Sequence, residues 1–98
     1  YNTIVLKGPL SGSMYASLEN QLWNIQTKEY TGPIYFVIRS DGGLLYIQDL
    51  IINRLKTIPN VKIGICIKCL SGAFGIWRSM DERLVMKTSI LMQHNIVG

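Results

Sequence analysis

The chain has 98 residues, 48% of them hydrophobic and 16% charged, with a net charge of +4. That length holds one domain at most, and so little charge predicts apolar surface left for a partner, an identical subunit or a missing part of the same polypeptide. The apolar runs fall far short of a bilayer span, and the basic residues from Lys7 to Lys87 form neither a run of three nor a nucleic-acid motif, which argues against membrane and nucleic acid as partners.

Residues 3–7 (Thr-Ile-Val-Leu-Lys) read as a short strand that Gly8-Pro9 ends. Ser11 or Ser13 then caps a helix over about 14–28, in which Leu18, Leu22 and Ile25 recur at helical spacing. After Thr31-Gly32-Pro33, residues 34–38 are apolar throughout, which predicts a strand buried on both faces of a parallel sheet. Ser40-Asp41-Gly42-Gly43 forms a tight turn, and Leu44, Ile47, Ile51 and Leu55 mark a second helix over about 44–57. Ile58-Pro59-Asn60 stops it. Residues 61–67 form the third strand, and Ser71 opens a third helix reaching Arg78 or Ser79. Residues 83–86 and 90–93 read as two short strands joined by Lys87-Thr88-Ser89.

The resulting order, β-α-β-α-β-α-β-β, predicts an α/β fold with a mostly parallel sheet and crossover helices. Because the chain begins at Tyr1 and stops at Gly98 just after an apolar segment, 1–98 is expected to be a single domain, incomplete at its carboxyl end and the amino-terminal part of a longer subunit.

Cys66 and Cys69 form a Cys-x-x-Cys. The residues before it are strand-like, there is no second Cys pair, and the lone His94 lies far down the chain. Two reduced cysteines, one packed under the sheet, are therefore expected rather than a redox pair or half a zinc site. They fit a reducing compartment, cytoplasmic or organellar.

Three features converge on one edge of such a sheet. Gly42-Gly43 follows the carboxyl end of one strand, Ser71-Gly72 follows the next, and His94 ends the last. Ligands of parallel α/β sheets bind at that edge. A serine hydroxyl needs a neighbouring base to become a nucleophile, and imidazole titrates in the right range. The tetrahedral intermediate needs two N–H donors, for which the amides of Gly43 and Gly72 are the natural pair. Each residue also has an ordinary reading: Ser71 as a helix N-cap, Gly42-Gly43 as a strand-to-helix turn, His94 as a hydrogen-bonded structural residue. Cys-Leu-Ser-Gly-Ala is not the G-x-S-x-G elbow of α/β-hydrolases.

Taken together, these segments resemble the proteolytic subunit of the Clp protease. Ile4-Val5-Leu6-Lys7-Gly8-Pro9 and Pro33-Ile34-Tyr35-Phe36-Val37-Ile38-Arg39-Ser40-Asp41-Gly42-Gly43 are similar to that family's opening strand and its "I-N-S-P-G-G" turn. Leu70-Ser71-Gly72-Ala73-Phe74 is similar to its "A-A-S-M-G-A-F", and Ser89-Ile90-Leu91-Met92-Gln93-His94 to its "S-R-V-M-I-H". The resemblance implies a ClpP/crotonase-like fold and a serine endopeptidase acting on unfolded polypeptide, with Ser71 as nucleophile, His94 as general base, Gly43 and Gly72 as oxyanion donors and Gly42 supporting the turn. It also implies a homo- or hetero-oligomeric ring served by a separate AAA+ unfoldase. No nucleotide-binding loop is seen, and no metal or cofactor is implied.

The departures are specific. Lys68-Cys69-Leu70 replaces small residues before the serine, where bulk would crowd the first helical turn. Asp41 stands for the usual proline, which is expected to loosen the turn and add negative charge; Asn95-Ile96 stands for Gln-Pro. The family's third triad residue, an aspartate, would lie beyond Gly98, and Asp81 and Glu82 come too early to replace it. A non-catalytic ring subunit therefore stays open as an alternative. So do a Ser-Lys dyad, since Ser-Gly-Ala-Phe is similar to the "S-G-G-Y" turn of signal-peptide-peptidase A proteins, and a crotonase-type acyl-CoA enzyme.

Overall fold

A computed structural model describes residues 2–92. The elements are β1 (Asn2–Lys7), α1 (Gly12–Gln26), β2 (Ile34–Ser40), α2 (Leu45–Lys56), β3 (Lys62–Leu70), α3 (Gly72–Arg78) and β4 (Glu82–Met92). The strands lie in the order β1-β2-β3-β4, and every neighbouring pair is parallel. The two short carboxyl-terminal strands expected from the sequence are two paired stretches of one strand. Pairing of β4 with β3 lapses between Val85 and Ile90 and then resumes.

The strand order never reverses, and right-handed crossovers that always step the same way deliver their helices to one face. The burial follows. Ile4 and Leu6 of β1, Phe36 and Ile38 of β2, and Cys66 and Cys69 of β3 join Leu18, Leu22, Ile51, Leu55 and Ile76 of the helices in a single core. Among the described residues no helix covers the other face. There Val5 is exposed, while Tyr35, Val37 and Ile65 are half-buried. The apolar run of β2 thus packs on one side and lines an open apolar face on the other, not the two buried faces its composition suggests.

Local chemistry sets each helix. Ser11, with extended backbone (φ −150°), caps α1 by accepting from the Met14 amide at 3.4 Å. Arg54 Nε of α2 meets Glu19 Oε2 of α1 at 2.8 Å and ties the first two helices together. A Cβ on Gly64, in the middle of β3, would lie 2.8 Å from Met80 Cγ and 3.1 Å from Trp77 Cδ1. Its glycine lets α3 settle closely on the sheet, where Trp77 Nε1 donates to the Gly64 carbonyl at 3.0 Å.

β3 contains one extra residue. Cys66 pairs with Ile38 and Lys68 with Arg39, so Ile67 is passed over and alternation restarts one position later. The bulge puts both Cys66 and Cys69 on the helix side, although strict alternation would have separated them. Both cysteines, rather than one, are buried, and neither is in a disulfide. Burial pushes the Cys69 thiol far above its ordinary range and raises Cys66 as well. Neither is a ready thiolate.

Candidate active site

All the strands point their carboxyl ends to one edge, and the sequence-selected glycines and serine gather there. Ser71 occupies the N-cap position of α3 with φ +52° and ψ −124°, a backbone conformation that side chains rarely adopt. Its hydroxyl makes no capping hydrogen bond. The N-cap reading therefore fails for Ser71, while Ser11 shows what an ordinary serine cap looks like in the same chain. Backbone strain of this kind runs to about 1–3 kcal/mol and is held in place by its surroundings.

Gly42 supplies those surroundings. It has φ +98°, and a Cβ there would lie 2.8 Å from Ser71 Cβ and 3.0 Å from the Leu70 carbonyl oxygen. No side chain fits. Its amide donates to Ser40 Oγ at 3.1 Å, and Ser40 is buried. Its carbonyl accepts from the Leu10 amide at 2.9 Å.

Gly43 pairs with Leu10 in an isolated parallel bridge. Leu10 spends its N–H on the Gly42 carbonyl and its C=O on the Leu44 amide, so the N–H and C=O of Gly43 itself point the other way. Among the described residues the Gly43 amide donates no hydrogen bond. A Cβ on Gly43 would lie 2.7 Å from the Leu10 carbonyl oxygen. Gly72, the first residue of α3, has no intrahelical acceptor for its amide. A Cβ there would lie 2.6 Å from Leu10 Cδ1 and 3.1 Å from Gln48 Oε1. Leu10 thus braces both turns, Gly43 with its backbone and Gly72 with its side chain.

The two departures at this edge offset each other. Lys68 Nζ reaches Asp41 Oδ1 at 2.7 Å, so the added negative charge and the added bulk pair across the ends of β2 and β3. The turn expected to loosen is tied by this pair and by Ser40. Asp81 is remote from the site: it accepts from the Lys62 amide at 2.8 Å at the start of β3, and Glu82 pairs with Ile63 beside it. A strand of that length spans on the order of 25 Å. Neither acid can orient a base near Ser71. His94 lies outside the described residues; Leu70 pairs with Met92, two positions before it in sequence.

Leu10 and Gln48 escaped the sequence reading, and Ser40 entered it only as the start of the turn. Gln48, whose side chain fills the space above Gly72 and Gly75, is a polar residue within an otherwise apolar helical stripe.

Solved structures resemble this arrangement closely. ClpP1 from Listeria monocytogenes superposes with a TM-score of 0.80 at 19% identity, covering 89% of this chain and 52% of its own. The ClpP protease catalytic domain from Plasmodium falciparum superposes with a TM-score of 0.86 at 20% identity, covering 97% of this chain and 56% of its own. This is the ClpP fold. The chain spans about half the length of each of these ClpP structures. No family model and no curated protein matches the sequence. Within the ClpP-like scaffold, Gly42, Gly43, Ser71 and Gly72 come together at the carboxyl edge of the sheet.

Proposed function

We propose that this chain carries the nucleophile and oxyanion elements of a ClpP-type serine endopeptidase. The observation that supports it is the positive φ of Ser71 at a strand-to-helix turn, with its hydroxyl left uncapped. Ser71 Oγ attacks the scissile carbonyl carbon while His94 takes its proton. The amides of Gly43 and Gly72 receive the oxyanion. Collapse of the tetrahedral intermediate expels the amine, protonated by His94, and leaves an ester on Ser71. Water, deprotonated by the same imidazole, then hydrolyses it.

The substrate is unfolded polypeptide, and the subunit assembles into a homo- or hetero-oligomeric ring supplied by a separate AAA+ unfoldase. The open apolar face of the sheet supports such packing. The buried reduced thiols support a reducing compartment. In the full-length protein, a peptide ester should give a burst of product approaching one equivalent per subunit. The burst rate should rise through about pH 6–7.5 with the imidazole. Loss of the burst in Ser71→Ala is expected; its survival there would refute the assignment.

A non-catalytic ring subunit is the second reading. Asp81 and Glu82 lie at the far end of the sheet and Asp41 is held by Lys68, which favours it by leaving no uncommitted acid beside Ser71 among the described residues. A full-length protein that shows no burst at any pH fits that reading.

A further inference from the structure

On the helix-free face, a row of cations crosses the sheet near the carboxyl ends of β1, β2 and β3. Lys7 pairs with Arg39, and Arg39 with Lys68, in the registers of β1-β2 and β2-β3. Like charges placed opposite one another on adjacent strands are destabilising, so this row works against the fold. The three side chains converge on one cleft of about 360 Å³, lined also by Gly8, Ser40 and Asp41. Asp41 neutralises Lys68. Among the described residues, neither Lys7 nor Arg39 has an ion-pair partner.

The cleft adjoins the reaction edge. Asp41 and Ser40 lead directly into Gly42, which abuts Ser71, and Lys68 is three residues before that serine. Two unneutralised cations in a recess of this size suit a carboxylate, which a guanidinium grips through two parallel N–H bonds. We propose that this cleft holds a carboxylate of the polypeptide substrate, an acidic side chain or the chain terminus, close to the scissile bond. The identity of the ligand rests on the peptidase reading; the binding itself does not.

Fluorescence anisotropy on the full-length Ser71→Ala protein tests it without hydrolysis. The probes are a peptide containing glutamate and carrying an uncharged BODIPY label, its glutamine isostere, and each with a free or an amidated carboxyl terminus. A carboxylate-bearing peptide should bind about tenfold more tightly than its fully neutral counterpart, and the preference should shrink with added salt. Whether glutamate or the free terminus carries the preference tells which carboxylate is held. In the Lys7→Gln/Arg39→Gln variant the preference should fall below about twofold, whereas Arg39→Lys, which keeps the charge but loses the paired N–H grip, should retain only part of it. Equal binding of all four probes, or a preference unchanged in the double variant, would overturn the proposal. If the wild-type protein takes no serine-directed label yet prefers the carboxylate, the peptidase reading fails and the cleft stands; labelling with equal probe binding gives the reverse.

Discussion

Two serines stand at helix starts in this chain, and their backbones differ completely. Ser11 is extended and caps; Ser71 is at φ +52° and does not. If the second is held in strain for reactivity, replacing it with a residue free of that strain should help the fold. Ser71→Gly is therefore expected to raise stability by about 1 kcal/mol in denaturant melts while abolishing acylation. Gly42→Ala should do the opposite to stability. It forces a side chain to φ +98° and into Ser71 Cβ at 2.8 Å, so a loss of about 2 kcal/mol and of acylation is expected. The positions of Ser71, Gly42 and Gly43 were legible because turn residues after apolar runs mark strand ends. The torsion of Ser71 was not, since a serine before a helix reads the same whether it caps or is strained. Ser40 was legible as the start of the turn but not as the acceptor of the Gly42 amide, a role that exists only once the turn has closed.

At the scale of elements, α1 and α2 are joined by Glu19 and Arg54. The guanidinium hydrogen bond to Glu19 is the largest cause holding its carboxyl below the ordinary range, and the Tyr15 hydroxyl bonds to the same carboxylate. A lowered folded-state value stabilises the fold above the unfolded carboxylate range and is lost as pH falls through the folded value. Side-chain exposures of 25% and 35% leave the pair open to solvent screening. Arg54→Met should then cost about 0.5–1 kcal/mol at neutral pH, with the difference from wild type fading below about pH 4 in urea melts. The bulge at Ile67 makes a second prediction. Because it turns both thiols into the core, Cys66 and Cys69 should resist iodoacetamide in the folded protein and react on unfolding, as mass shifts would report. That bulge was half-legible. Two buried cysteines three apart cannot share one face of a regular strand, yet the sequence alone admits one buried and one exposed.

For the molecule as a whole, the alternation of strands with helices and the parallel direction of the strands were readable from apolar runs and helical stripes, but the bareness of one sheet face was not. Apolar composition in β2 is the same whether a second helix layer or another subunit covers it. Val5 and Leu84 stand roughly half exposed, and Tyr35, Val37 and Ile65 are half-buried beside them. A contiguous apolar sheet face of this kind is the sort of surface that partners or further chain commonly cover. The 98-residue chain should consequently sediment as an associated species rather than a monomer. A single sharp monomer boundary would show that this face is tolerated in water.

The hydroxyl of Ser71 is the pivot of the functional reading, and a fluorophosphonate reports on it directly. Treated full-length protein, digested and mapped by mass spectrometry, should carry the phosphonyl group on the peptide containing Ser71, and Ser71→Ala should carry none. An unmodified Ser71 peptide at neutral pH, or the same label persisting in Ser71→Ala, would contradict a nucleophilic serine at this turn.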